Sequence, residues 1–383
     1  MVTKHELFAI SAIDSHKSRG ATRPLVSVIV PARNEEAGIG ACLMSLRQQE
    51  GVSCELIVVD DGSTDRTRAI AEFIVGVRVL PAGPLPPGWH GKTNACQTGA
   101  DAACGEWLLF TDADTVHEHG SLARAIAEAR AAGAALLSYS PRQEVHGIVE
   151  RALMPVIFAD LASTYRPKDV SDPASPVAAA NGQYLLIRRE AYEAIGGHAV
   201  CAGDLLEDVA LACAAKQAGQ KLLFRFGGDA VKTRMYRSWP QMREGWTKNL
   251  ALLFPAPEGL AARRWLEFGA SVGLLAAAAT AAVCGKRKLA SAATILALPA
   301  TVNVYRRVRK AHFDQLSTLL APLGLPLFAY LLRRSQKRHA QGSVAWKGRL
   351  YSPGTVKAPA GAVALSTPAG SSADQLRRAN ADI

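Results

Sequence analysis

Short apolar runs alternate with longer stretches of mixed polarity over the first half of the chain. The compact runs are rich in aliphatic residues and predict buried strands at 26–30, 55–59, 77–80, 107–111, 135–140 and 183–188. The mixed stretches predict helices at 35–49, 92–103, 121–132 and 207–217. Strands that alternate with helices favour an α/β fold, in which helices flank a mostly parallel sheet.

The pattern changes after residue 265, where three apolar segments follow one another at 268–284, 289–305 and 316–332. Each is 17 residues long, close to the lower limit of roughly 17–25 residues for a helix that crosses a bilayer. Clusters of Lys and Arg separate the segments, and aromatic residues stand at their ends. We therefore expect membrane-associated helices, with a soluble helical subdomain of basic surface as the alternative.

These patterns divide the chain into four parts. We predict a catalytic α/β domain at 25–253 and a basic, hydrophobic helical region at 254–340. Residues 1–24 lack a complete secretory signal and are predicted to be a flexible, cytoplasmic lead-in. Residues 341–383 are predicted to be a C-terminal segment that is largely disordered after 352, because Ala, Pro, Gly and Ser dominate it.

The charge of the chain is concentrated in the same C-terminal third. The 383 residues carry a net charge of +11, yet residues 230–350 hold 20 Lys and Arg against 4 Asp and Glu, while the remainder is net acidic. Nucleic-acid sites interleave basic residues with aromatic and polar ones, whereas these clusters alternate with Ala- and Leu-rich runs. The pattern favours the anionic surface of the cell inner membrane as a partner, with the catalytic domain on the cytoplasmic side, and no nucleic acid.

Pairs of carboxylates follow two of the predicted strands. Asp60 and Asp61 end one strand, and Asp112 and Asp114 end another. Ligands of open α/β sheets bind outside the carboxyl ends of the strands, and paired oxygen ligands suit a divalent cation that also binds phosphate. Each pair alone is also typical of a turn or a helix cap. Together they favour a site for a metal and a diphosphate.

Two further positions are candidates for chemistry. Glu207 and Asp208 precede an apolar helix, where a carboxylate serves either as a general base or as a charge that complements the helix N-terminus. Lys92 opens a helix after the Pro- and Gly-rich loop at 80–90. It either faces phosphate groups or is a solvated surface lysine.

A basic and aromatic segment precedes the apolar region. It contains Arg243 and Trp246. One interpretation is an amphipathic helix at the membrane interface. The alternative is a lid that offers cations to a diphosphate and an aromatic face to an acceptor.

The sequence resembles the family 2 glycosyltransferases, which have a GT-A fold, from about residue 25 to residue 253. The segments that carry the resemblance are VSVIVPARNEE, ELIVVDDGSTDRT, GKTNACQTGADAACGEWLLFTDAD, NGQYLLIRREAYEAIGGH and LLEDVALA. The loop GWHGK, the segment from MYRSW through EGW to KN, and the stretch WKGRLY are similar to the membrane-bound subgroup associated with glycosylation of hopanoids and carotenoids.

The resemblance implies roles for individual residues. Those that would line the nucleotide sugar are Pro31, Glu35, Asp61, Lys92 and Asp112. Asp112 and Asp114 would form the D-x-D motif that holds Mg²⁺ or Mn²⁺, and Asp208 would be the base of an inverting transfer. Trp246 would stand where processive relatives carry the Trp of Q-x-x-R-W. Gly245 replaces the Arg of that motif, which favours the addition of a single sugar.

The resulting expectation is an enzyme that transfers one hexose from a nucleotide-diphosphate sugar, with UDP as the expected nucleotide, to a membrane lipid such as a hopanoid or carotenoid. A polyprenyl-phosphate sugar synthase is the alternative among enzymes, because it would share the donor site. A catalytically silent membrane scaffold of the same fold is the alternative outside enzymes.

Overall fold

The computed structural model describes residues 25–351. The predicted lead-in at 1–24 and the predicted disorder after 352 therefore lie outside the described residues. The strands are β1 (Val26–Ala32), β2 (Cys54–Asp60), β3 (Val77–Pro81), β4 (Trp107–Phe110), β5 (Thr115–His117), β6 (Leu136–Ser140), β7 (Arg142–Gln143), β8 (Leu185–Arg188), β9 (Leu222–Phe226), β10 (Val231–Thr233), β11 (Val344–Trp346) and β12 (Arg349–Tyr351).

The helices fall into two groups. Those within residues 25–253 are α1 (Ile39–Arg47), α2 (Thr67–Phe73), α3 (Gly91–Ala102), α4 (Ser121–Ala132), α5 (Gly147–Thr164), α6 (Pro167–Ser171), α7 (Arg189–Ala194), α8 (Glu207–Gln217) and α9 (Trp239–Leu253). The later group is α10 (Pro257–Phe268), α11 (Leu274–Val283), α12 (Arg287–Val308) and α13 (Gln315–Ala340). A π-helical turn at Gly269–Gly273 joins α10 to α11.

A seven-stranded sheet in the order β3-β2-β1-β4-β8-β6-β9 forms the centre of the first domain. Strand β8 runs antiparallel to both of its neighbours, and the other pairs are parallel. The strands are apolar on both faces because helices cover both, as β1 shows with Val28 and Ile29 fully buried in two different core clusters. The α/β fold with a mostly parallel sheet is confirmed, and it is the GT-A arrangement.

The apolar segments of the sequence form long helices packed on one end of this domain. Gly324 of α13 approaches the backbone of α5 so closely that an added Cβ would lie 2.0 Å from the carbonyl oxygen of Ala152. Two helical stretches, Pro257–Val283 and Gln315–Ala340, are long and apolar enough to cross a membrane. The first is mostly exposed over its apolar window, and the second is half buried.

A buried network of charges ties this helical region together. The guanidinium of Arg264 on α10 is 2% exposed and forms two hydrogen bonds of 2.7 Å with the carboxylate of Asp160 on α5. Glu267 bridges Arg264 and Arg307, the latter on α12. Removal of one partner from such a network leaves a buried charge uncompensated, which is more costly than the loss of the attraction itself.

We predict that Arg264→Met destabilises the protein by about 3–5 kcal/mol, because Asp160 and Glu267 lose one of the two cations that they share, and Arg307 alone leaves one buried negative charge uncompensated. Arg263→Met removes a neighbouring arginine that is exposed, and it is expected to change stability little. Thermal unfolding of both variants in the same detergent measures the difference. Equal midpoints for the two variants would contradict the role given to this network.

Candidate active site

A cavity of about 540 Å³ opens at the carboxyl ends of β1, β2 and β4, between the sheet and the helices α5, α8 and α9. Of the acidic residues at the predicted strand ends, Asp61, Asp112 and Asp114 line it and Asp60 does not. Asp208 and its neighbour Glu207 also line it. Pro31, Glu35, Lys92 and Trp246 line it as well. The structure thus brings together residues from six segments that are far apart in the sequence.

Asp112 and Asp114 occupy the turn that follows β4. Asp114 has one carboxylate oxygen, Oδ1, that is buried and accepts no hydrogen bond. Burial raises the pKa of Asp114 to about 8, and the charges of Asp112 and Glu35 add to the effect. An orphaned carboxylate beside other carboxylates suits a divalent cation. No cluster of three or more metal-ligating side chains occurs within residues 25–351.

Lys92 lies at the centre of this acidic surface. Its helix, α3, begins at Gly91 directly after the Pro- and Gly-rich loop. The ammonium nitrogen of Lys92 is 2.7 Å from a carboxylate oxygen of Asp112 and 2.7 Å from one of Glu207. Burial lowers the pKa of Lys92, but the attraction of the carboxylates outweighs burial and holds the pKa above its ordinary value. Lys92 therefore stays charged and joins the turn after β4 to the start of α8.

Asp208 stands in the first turn of α8, beside this ion pair. Its Oδ2 accepts a hydrogen bond of 2.7 Å from the backbone N–H of Gly182, and its Oδ1 accepts one of 2.8 Å from Val209. Burial raises the pKa of Asp208 to about 6, and the charge of Glu207 adds to this, whereas Lys92 and the backbone hydrogen bonds oppose it. A carboxylate of that pKa is ionised at neutral pH and more basic than an ordinary aspartate.

The C-terminal hairpin β11–β12 closes the side of the cavity formed by β1 and β2. Lys347, at its tip, forms an ion pair with Glu35 and donates a hydrogen bond of 2.9 Å to the carbonyl oxygen of Arg33. Arg349 binds the carboxylate of Asp61 with two hydrogen bonds, of 2.5 and 3.0 Å. Each acidic residue on this side is thus paired with a hairpin cation.

Helix α9 forms the wall opposite the sheet. Trp246 is 2% exposed, and its indole nitrogen has no hydrogen-bond partner. Its ring meets that of Phe158 edge-on at 6.0 Å. Gly245 packs so closely on Tyr236 that an added Cβ would lie 2.4 Å from the phenol oxygen. Arg243 does not line the cavity, so the structure does not bring it together with the other predicted site residues.

A second set of residues that line the cavity is apolar and is here called the apolar arm. It consists of the aromatic and aliphatic side chains of Phe158, Leu161, Phe224, Phe226, Leu253 and Phe313. Tyr165 closes one side, where its hydroxyl donates a hydrogen bond of 2.8 Å to the carbonyl oxygen of Leu253. The cavity therefore combines a highly charged floor with the apolar arm.

Sequence reasoning missed several residues of this cavity. Lys347 and Arg349 belong to the WKGRLY stretch, which indicates a resemblance to a subgroup of the family but does not by itself place these residues in the site. Lys248 and Asn249 line the cavity and belong to the KN signature. Both motifs are visible in the sequence, but no local pattern shows that their basic and polar side chains reach strand ends that are far away in the chain.

Comparison with known proteins agrees with this arrangement. The model of the family "Glycosyl transferase family 2" matches residues 27–196. A 4,4'-diaponeurosporenoate glycosyltransferase of Staphylococcus aureus (strain USA300) is 30% identical over 363 residues, which cover 91% of this chain and 92% of the relative. The protein of strain MRSA252 with the same name is 29% identical over 360 residues, with the same coverage of both chains.

Two solved structures are more distant relatives. The mannosyltransferase PcManGT from Pyrobaculum calidifontis, in complex with GDP-Man and Mn²⁺, is 18% identical with a TM-score of 0.47, over 87% of this chain and 93% of its own. Glucosyl-3-phosphoglycerate synthase from Mycobacterium tuberculosis, in complex with Mn²⁺, UDP and phosphoglyceric acid, is 24% identical with a TM-score of 0.40. The match covers 60% of this chain and 78% of the synthase. On the strength of the full-length relatives and the family model, the chain is a glycosyltransferase that belongs to family 2.

Proposed function

We propose that this protein transfers a single hexose from a UDP-sugar to a membrane lipid, with inversion at the anomeric carbon. The observation that carries the proposal is that Asp61, Asp112, Asp114 and Asp208 line one cavity together with Lys92 and the apolar arm. Relatives named diaponeurosporenoate glycosyltransferase support an apolar acceptor of the carotenoid or hopanoid kind.

The donor would occupy the charged floor of the cavity. Pro31, Glu35 and Asp61 are positioned to contact the nucleoside, and Lys92 to contact phosphate oxygens. Asp112 and Asp114 would hold Mg²⁺ or Mn²⁺, which fits the unpartnered oxygen of Asp114 and its raised pKa. When bound, the cation would neutralise the diphosphate and favour its departure.

Asp208 would act as the general base. It would accept the proton of an acceptor hydroxyl, whose oxygen then forms a bond to the anomeric carbon. The bond from that carbon to the β-phosphate oxygen breaks, and its electron pair leaves with UDP. The two backbone hydrogen bonds from Gly182 and Val209 fix the carboxylate for this task. Intact carboxylates in these positions argue against a catalytically silent scaffold.

The helical region would hold this site against the cytoplasmic leaflet of the inner membrane. Large apolar side chains project outward from it, among them Leu266 at 74%, Val283 at 89%, Ile295 at 69% and Leu319 at 63% exposed. Such a surface is unfavourable in water and suits the acyl region of a bilayer. The basic cluster at 286–288 would contact anionic headgroups.

We predict that Asp208→Asn lowers turnover by about 10²–10⁴-fold, because the amide cannot accept the proton of the acceptor. Binding of UDP-glucose, measured by calorimetry, is expected to change little. Asp101→Asn alters an exposed aspartate on α3 and is the matched control. Near-normal turnover in the Asp208 variant would remove this residue from the mechanism.

The pKa of about 6 for Asp208 determines how turnover depends on pH. Below that pH the carboxylate binds a proton and can no longer act as a base. With Mn²⁺ at saturation, which would keep Asp114 ionised, turnover of the wild-type protein is therefore expected to fall about tenfold per pH unit below the pKa of Asp208 and to level off above it. A profile that stays flat from pH 7 to pH 5 would contradict this assignment.

We predict that Asp114→Ala abolishes the dependence of donor binding on Mn²⁺. Loss of a direct ligand should exceed the roughly 10–100-fold loss of metal affinity that follows removal of an outer-shell partner. Titrations of UDP-glucose in Mn²⁺ and in EDTA, on wild type and variant, measure the effect. Donor affinity that responds to Mn²⁺ equally in both proteins would count against the metal assignment.

A further inference from the structure

Lys248 is a cation in the cavity whose charge is not balanced by a direct ion pair. Three other cations that line the cavity are each held by a carboxylate: Lys92 by Asp112 and Glu207, Lys347 by Glu35, and Arg349 by Asp61. Arg33 also lines the cavity and donates a hydrogen bond of 2.6 Å to the backbone carbonyl oxygen of Asp61, and Lys310 belongs to the segment that carries the apolar lining residue Phe313. Over residues 25–351, by contrast, no carboxylate oxygen comes within 4.0 Å of the Lys248 nitrogen. An ammonium in that position is available for an anionic ligand.

The packing of α9 explains why this lysine reaches the cavity. Met242, Trp246 and Leu250 are one turn apart and are buried, so they fix the rotation of the helix. Lys248 then lies on the side of α9 that faces the start of α8, whereas Arg243 points elsewhere. The close contact of Gly245 with Tyr236 leaves no room for a longer side chain at that position.

The surroundings of Lys248 place it on the donor side of the cavity. Its ammonium nitrogen lies 5.5 Å from the centre of the Trp346 ring, on the hairpin that also carries Lys347 and Arg349. Burial lowers the pKa of Lys248, and the nearby Glu207, Asp208 and Asp112 oppose that shift, whereas Lys92 reinforces it. These are the residues that surround the proposed position of the diphosphate.

A neighbouring residue supplies a second polar group without a partner. The side-chain oxygen of Asn249 is buried, lines the same cavity and forms no hydrogen bond. A buried polar atom without a partner is costly unless a ligand or a water satisfies it. Lys248 and Asn249 thus both line the cavity and offer it a cation and an amide oxygen that accepts a hydrogen bond, which suits a phosphate and a sugar hydroxyl.

We propose that Lys248 binds the β-phosphate of the donor and stabilises the negative charge that develops there as UDP departs. The proposal rests on the proposed function and assigns to Lys248 the part that the sequence suggested for Arg243. The C–O bond to the β-phosphate breaks in this step, and the phosphate oxygen keeps the electron pair. UDP therefore carries more negative charge than UDP-glucose, because the terminal phosphate has a second ionisation with a pKa of about 6.

The difference in charge defines the experiment. Full-length protein in detergent, with Mn²⁺, is titrated by calorimetry with UDP, UDP-glucose and uridine. Lys248→Met is expected to weaken binding of UDP by about tenfold or more, in the range for a hydrogen bond to a charged group, and that of UDP-glucose by less. Binding of uridine is expected to stay unchanged. Unchanged affinity for both diphosphates would overturn the proposal.

Two further variants separate binding from folding. Lys248→Arg keeps the charge and is expected to recover most of the affinity for UDP. Lys337→Met removes an exposed lysine of α13 and is expected to bind all three compounds as the wild type does. Thermal unfolding shows whether each variant is folded. Equal losses for UDP and uridine in Lys248→Met would indicate a purely structural role and overturn the proposal.

A second experiment tests whether Lys248 binds an anionic group of the acceptor instead of the β-phosphate of the donor. All-trans-retinoic acid and all-trans-retinol are a matched apolar acid and alcohol, and their binding is followed by quenching of tryptophan fluorescence. Lys248→Met is expected to leave the ratio of the two affinities unchanged. A selective loss of retinoic acid binding, with UDP binding intact, would assign Lys248 to an acceptor carboxylate and overturn the phosphate assignment.

Failure of the proposed donor is distinguishable from failure of this inference. If the wild-type protein binds no uridine nucleotide, the choice of UDP is wrong. The same comparison with GDP, GDP-mannose and guanosine then tests Lys248, because the argument depends on the diphosphate and not on the base. A selective loss of GDP binding in Lys248→Met would support the inference under those conditions.

Discussion

The structure depends on the balance of charge at one edge of a sheet. Asp112 and Glu207 come from different parts of the chain and would repel each other if nothing lay between them. Lys92 offsets this repulsion with an ammonium placed 2.7 Å from each. The same ion pair fixes the start of α8 next to the turn after β4, so Asp208 and Asp114 face a common space.

The C-terminal hairpin extends that balance to the far side of the cavity. Without Lys347 and Arg349, the carboxylates of Glu35 and Asp61 would add to those of Asp112 and Asp114 and would repel a nucleotide diphosphate. The hairpin directly follows α13, the long helix that packs on α5. The packing of α13 on α5 therefore helps to place the hairpin, and with it these two cations, beside the cavity.

The candidate site was predictable where its chemistry is local. Asp112 and Asp114 follow a buried apolar run, and sheet geometry brings such strand ends together without further information. The cationic part was predictable only at Lys92, which opens a helix after the Pro- and Gly-rich loop. Arg243 was the natural candidate from its neighbours in the sequence, yet helix α9 is rotated so that Lys248 reaches the cavity instead. The helix pattern identifies a buried face, but not which neighbouring residue meets a distant carboxylate.

The sequence by itself determined the alternation of strands and helices, the acidic pairs at strand ends and the basic, apolar last third, because these are properties of short segments. Strands β5, β7 and β10 and the hairpin of β11 and β12 are too short to show a periodic pattern, and they form only where a partner lies alongside. Tertiary structure alone decided which cation pairs with which carboxylate and where the apolar arm begins. Such contacts join residues that are far apart in the chain, and their free energy is available only after the core has packed.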